Sequence, residues 1–143
     1  MGLLCFVCCK QFVRTKNTEE KMEIESPYEN EVDSFNNVDS FPDLAFVVPG
    51  MEHPLLLHKK ILAKTSNKIR EALMNNPGDR LEWMVDTNSD IERQALVKAL
   101  RFCYGETLRF GTRDDERHAV IVALSSLQVT CLNEVAPQLN QFA

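Results

Sequence analysis

Apolar positions along this chain fall into short runs whose spacing changes from segment to segment. Residues 44–48 read LAFVV, an apolar, β-branched-rich run closed by Pro49 and Gly50. That pattern predicts a strand followed by a turn. HPLLLH at 53–58 predicts a second strand, making a hairpin with the first. From His58 the spacing becomes helical. His58, Ile61, Leu62, Thr65, Ile69, Ala72 and Leu73 share one face, and Lys59, Lys60, Lys64, Lys68 and Arg70 lie mostly off it. The run Asn75, Asn76, Pro77, Gly78 ends this helix, and LEWMVD at 81–86 predicts a third short strand.

The second half is helical. Ser89 and Glu92 have the spacing of a capping box, in which each side chain satisfies a free backbone N–H. The helix they open places Leu96, Ala99, Leu100 and Cys103 on one face and ends near Tyr104 and Gly105. Residues 108–110 predict a brief edge strand. Thr112 with Asp115 predicts a second capping box. The helix through AVIVALSSLQV at 119–129 is apolar on most sides, which predicts a central position. Residues 131–142 form a last, shorter helix, with Pro137 either near its start or kinking it. The order is hairpin, helix, strand, then helices, an α+β fold with helices capping a small sheet. Tyr104, Phe102, Trp83, Ile61, Leu62 and Leu127 are expected in the core. Trp83 and its strand are expected as a covered core strand, with an exposed edge for a partner as the alternative.

Composition adds three zones to this picture. The chain has 143 residues, room for one compact domain and a tail. Its formal charge of −5 is unevenly spread. Residues 1–16 carry Lys10, Arg14 and Lys16 with no acid, a balance of +3. Residues 17–42 carry eight acids against Lys21, a balance of −7, which leaves −1 for the rest. Three zones are therefore expected: a Cys-rich apolar and basic head at 1–16, an acidic flexible strap at 17–42, and a nearly neutral globule at 43–143. Like charges, Ser26-Pro27 and Asn36-Asn37 favour mobility in the strap. Val32, Phe35, Val38 and Phe41 recur every three residues there, compatible with a short docking helix. The neutral globule offers no basic face, which argues against direct nucleic-acid binding. No window approaches the roughly 18 apolar residues that span a bilayer.

These patterns, read in order, resemble the BTB/POZ domain. Asp43 before LAFVV matches the family's acidic residue ahead of its opening strand. His58, Lys59, Ile61, Leu62 and Ser66 match its strand-into-helix motif. Phe102, Tyr104 and Gly105 match the end of its central helix, and Ala123, Leu127 and Val129 its penultimate helix. The likeness covers about residues 40–142. It implies a BTB-like fold, a small sheet capped by helices, and work as a non-catalytic protein–protein interaction module. Many members of the family homodimerise, and many dock a cullin scaffold of a ubiquitin ligase. In some relatives the residues matching Asp43 and Lys59 pair in a pocket at the dimer interface, so these two, with Phe35 and Phe41, are the interface candidates. An ordinary surface ion pair is the plain alternative. This chain departs from the family pattern where the dimer helix usually stands, since an acidic, Asn-rich strap occupies that place. The cullin-docking pattern meets Leu73, Met74, Asn75 and Asn76, without its acid. The sequence ends at Ala143, so no downstream substrate-binding domain is expected. The resemblance makes His58 a structural residue at a strand–helix junction. The residues agree, because a His on an apolar face is more often a satisfied core group than a catalyst.

Candidate chemistry is otherwise sparse. No G-x-S-x-G, P-loop or H-E-x-x-H motif occurs, the 5 glycines do not cluster, and His53, His58 and His118 fall in three elements, so no enzyme activity or cofactor is expected. Cys5 and Cys8, with Cys9, lack the second ligand pair of a structural zinc site, so no metal is expected. Cys103 and Cys131 sit in helical patterns as buried small hydrophobes, which points to a reducing, intracellular, cytoplasmic setting. The head MGLLCFVCCK suits S-acylation of Cys5, Cys8 and Cys9. Gly2 is a myristoylation candidate, although Phe6 stands where Ser or Thr is preferred. Two or more acyl chains, helped by the three bases, would hold the chain on a membrane surface. An unmodified head, or one that packs on the domain, is the equal alternative.

Overall fold

The computed structural model describes residues 22–83, 89–110 and 113–140. The strands are β1 (Met22–Ile24), β2 (Leu44–Val47), β3 (Leu55–Leu57), β4 (Arg80–Glu82) and β5 (Leu108–Phe110). The helices are α1 (Lys59–Thr65), α2 (Asn67–Asn75), α3 (Asp90–Cys103), α4 (Asp114–Leu127) and α5 (Leu132–Asn140), with 3-10 turns at Val32–Ser34 and Val38–Ser40. β2 is the middle strand of a sheet ordered β3–β2–β4. It pairs antiparallel with β3, Ala45 facing Leu56, and parallel with β4, Phe46 facing Leu81. The helices α1 and α2 make the crossover that a parallel pair requires. Leu44 and Phe46 point into the core from β2, and Leu55 and Leu57 from β3, the period-2 alternation expected of a sheet covered on one face. The α+β expectation therefore holds.

The core lies between this sheet and the pair α3 and α4. Leu96, Ala99, Leu100, Phe102 and Cys103 of α3 are buried, with Val120, Ala123, Leu124 and Leu127 of α4. The Ser89–Glu92 capping box is present: Ser89 Oγ accepts from the Glu92 amide at 3.2 Å, and Glu92 Oε1 from the Ser89 amide at 3.4 Å. Of the six residues expected in the core, Tyr104, Phe102, Trp83, Leu62 and Leu127 are buried, and Ile61 packs half-buried against them. Cys103 and Cys131 are free and buried. Burial in apolar surroundings pushes the Cys103 thiol up to about 12.

Three expectations are corrected. First, the helix expected from His58 to Leu73 is two helices, broken at Ser66, whose backbone is extended at φ −130° and ψ 115°. The break is built into the fold. Buried Ser66 caps α2 by accepting from the Ile69 amide at 3.1 Å, and it donates to the Leu127 carbonyl at 2.5 Å. Second, the N-cap of α4 is Arg113, one residue later than the box expected at Thr112 and Asp115 places it. Arg113 makes no side-chain cap, and Asp115 pairs with Arg113. Thr112 lies outside the described residues.

Third, residues 22–42 are not a loose strap. β1 pairs antiparallel with β5, Glu23 facing Arg109. Ile24 and Phe35 are buried in the core. Ser26 Oγ donates to the Phe102 carbonyl at 2.7 Å. The three-residue recurrence of Val32, Phe35, Val38 and Phe41 is the period of a 3-10 helix, and short 3-10 turns are what form there. The remainder of the expected strap, residues 17–21, lies outside the described residues, as do Gly2, Cys5, Cys8 and Cys9.

Candidate functional site

Tyr104 joins the strap to the domain. It ends α3 fully buried, and its hydroxyl accepts the His58 amide at 2.8 Å. The same hydroxyl lies 2.8 Å from His58 Nδ1, and His58 Nε2 lies 3.0 Å from the Ser40 carbonyl and 3.1 Å from Ser40 Oγ. One tautomer satisfies all of these. Tyr104 donates to an unprotonated Nδ1, and the Nε2–H faces Ser40. Both ring nitrogens are thus committed to structure, as the strand–helix junction reading expects. The Glu31 amide donates to the Tyr104 carbonyl at 2.6 Å, and Phe35 meets the Tyr104 ring edge-on at 5.3 Å. Burial raises the Tyr104 hydroxyl well above its usual range, so it stays protonated. Tyr28 does similar work further along, bonded to Thr130 Oγ1 at 2.6 Å and accepting from the Cys131 amide at 3.1 Å.

A Tyr104→Phe variant keeps the ring and loses these bonds. It should cost about 1–3 kcal/mol, because the His58 amide is left without its partner. Urea denaturation measures this, and a change below a few tenths of a kcal/mol would show that the hydroxyl network is incidental.

The four interface candidates part company. Phe35 is 9% exposed and lies between Tyr104 and Arg101, whose guanidinium carbon is 5.3 Å from its ring centroid, so it is a core residue. Phe41 is 91% exposed. Asp43 and Lys59 do adjoin, but through the backbone: Asp43 Oδ1 accepts from the Lys59 amide at 2.8 Å. The Lys59 ammonium instead reaches the Pro77 carbonyl at 3.3 Å. Asp43 therefore caps α1 from another element. His58, the N-cap, provides no side-chain cap and the first turn holds no acid, so a carboxylate at this positive helix end is favourable.

Val38, placed by the sequence in the three-residue recurrence but not among the interface candidates, is 71% exposed. The turn that displays Val38 and Phe41 is held firmly. Asn37 caps it by accepting from the Asp39 amide at 2.9 Å, and Ser40 Oγ donates to the Asn37 carbonyl at 2.6 Å. Phe41 then adopts φ 58° and ψ 55°, a left-handed conformation uncommon for an aromatic residue. Phe41 therefore faces solvent from a hydrogen-bonded turn in a backbone conformation that is costly for a bulky residue.

A sequence profile of the BTB/POZ domain matches residues 32–141. The chain belongs to the BTB/POZ family. The match begins inside the segment read from sequence as a strap. Among solved structures, the chain resembles the BTB domain of zebrafish PATZ1, with a TM-score of 0.52 and 20% identity over 72% of this chain and 78% of that one. At that identity the likeness concerns the fold. No curated protein matches the chain in sequence. As a BTB domain it is a protein–protein interaction module. Among the described residues, no helix is long and apolar enough to cross a membrane.

Proposed function

We propose that this BTB domain works inside the cell as a non-catalytic, self-associating scaffold, with the turn at residues 38–41 as its contact. The observation that carries this reading is the outward display of Val38 and Phe41 beside Asp43. Two apolar side chains on a hydrogen-bonded turn lose little conformational entropy when a partner covers them. Asp43 and Lys59 flank the turn and would form its polar rim, the usual anatomy of such a contact.

Light scattering on the full chain over a range of concentrations tests it. The wild-type chain should form a dimer. Phe41→Asp, at a site that contributes almost nothing to the core, should raise the dimer dissociation constant by about 30-fold or more, the effect of losing about 2 kcal/mol at an aromatic anchor. A wild-type chain that stays monomeric at every concentration would sink the proposal.

A second reading rests on the head. Cys5, Cys8 and Cys9 stand in an apolar stretch followed by Lys10, Arg14 and Lys16, the composition of an acylated membrane tether. Hydroxylamine-sensitive acyl labelling of those cysteines in cells supports it, and its absence removes it. Cullin-adaptor work has less behind it. Met74 is 76% exposed at the end of α2, but Asn75 and Asn76 follow where the family's cullin-docking pattern has its acid.

A further inference from the structure

Away from this turn, α3 and α4 leave an open groove of about 330 Å³ between them. Its apolar walls include Trp83, Ile91, Leu96, Ala119 and Val122, and Glu92 and Asp115 stand on its rim. Val122 is 46% exposed and projects from a helix that is otherwise apolar on most sides. We propose that this groove is the seat of the chain's own apolar head, residues 3–13, folded back between α3 and α4.

The path of the chain carries the argument. β1 runs antiparallel to β5 with Met22 opposite Phe110. Traced back toward the N-terminus, the chain therefore leaves β1 in the direction in which β5 runs on toward α4. Asp114 opens α4, and Asp115, the next residue, lines the groove. Val122 is seven residues beyond Asp115, about 10 Å along the helix axis at ~1.5 Å per residue. Residues 14–21 span up to about 26 Å when extended, at ~3.3 Å per residue, which is ample to bring residue 13 onto the groove.

The chemistry matches as well. Leu3, Leu4, Phe6, Val7, Phe12 and Val13 supply apolar side chains without an intervening acid. Lys10, Arg14 and Lys16 would meet the rim carboxylates. Arg113 already pairs with Asp115 at 2.6 Å, but both side chains are more than half exposed, so that pair is weak competition. Burying the head removes its apolar surface from water, which favours the folded-back arrangement. It also keeps Cys5, Cys8 and Cys9 near one wall of the domain.

Thiol trapping on the full, unacylated chain tests the proposal, using the head's own cysteines as probes. Val122→Cys and Ser126→Cys each place a thiol on the groove wall, and Met74→Cys places one on the exposed end of α2. Under mild oxidation and at low protein concentration, the groove thiols should form intramolecular disulfides with the head at least tenfold faster than the α2 thiol. Phe6→Asp should abolish that preference. Peptide mapping by mass spectrometry identifies the bonds. Equal rates at all three positions, no bond at the groove, or bonds only between chains would overturn the proposal; the last result would assign the groove to the head of a second copy.

Discussion

A Gly105→Ala variant is expected to lose about 2–5 kcal/mol of stability, combining the backbone cost of a left-handed non-glycine residue with overpacking. Gly105 follows Tyr104 at φ +96°, where an L side chain is strained. A Cβ there would also lie 2.6 Å from the Asn30 Cα and press on the Glu29 carbonyl, both of them backbone atoms of the strap. Neither can swing aside like a flexible side chain. The neighbouring Glu31 amide donates to the Tyr104 carbonyl, so the clash falls where the strap is tied on. Relief requires residues 29–31 to lift, and Phe35 to lose part of its seat against Tyr104. Two measurements check this. Urea denaturation should show the loss of stability, and limited proteolysis should show faster cutting within residues 25–35 than in the wild type. Unchanged denaturation and cutting would mean that the strap does not press on α3 as closely as it does here. Small domains are held by only about 5–15 kcal/mol, so this one methyl group removes a substantial share.

Phe46→Ala should be comparably severe, at about 3–5 kcal/mol. Phe46 is fully buried on the central strand, between Leu55 of β3 and Leu81 of β4, and its ring centroid lies 5.5 Å from that of Trp83. Truncation leaves a void that three paired strands cannot readily close, because their ladder hydrogen bonds set their spacing. Trp83 is the chain's single tryptophan, so its fluorescence reports the same event independently. Its emission should shift to the red as the ring loses its neighbour, and the denaturation midpoint should fall. A loss below about 1 kcal/mol with unchanged emission would show that the sheet end repacks around the gap.

The two variants probe parts of the molecule that differ in how far the sequence announces them. The surroundings of Phe46 are legible, since LAFVV, LLL and LEWMVD declare apolar runs broken by turn residues, although the third strand spans Arg80–Glu82 and residues 84–86 of the expected 81–86 lie outside the described residues. The Ser89–Glu92 box likewise announces α3, and the apolar girth of AVIVALSSLQV announces a central α4. The contact at Gly105 is not legible in this way. The strap holds few apolar residues among many acids, and its anchors are remote in sequence: Ser26 to Phe102 spans 76 positions, and Tyr28 to Thr130 spans 102. Local periodicity carries no information about such pairs. The same limit applies at the candidate site. Phe35 and Phe41 belong to one three-residue recurrence, yet one packs on Tyr104 and the other faces water. Asp43 and Lys59 are correctly placed as neighbours, but the contact is a helix cap, not an ion pair.

By itself, then, the sequence determined the order of strands and helices from residue 44 on, the family, and the structural role of His58, but not the break at Ser66 or the start of α4. These follow from short-range spacing and capping chemistry, which act within a turn or two of chain. Only the tertiary structure decided that residues 22–42 are part of the folded domain, that Ser66 divides one apparent helix into two, and that Val38 and Phe41 stand outside while Phe35 is inside. Each of those outcomes depends on a surface or carbonyl supplied from far along the chain. Tyr104 takes in Phe35, Leu127 accepts from Ser66, and β5 receives β1, and such partners exist only once the helices have packed.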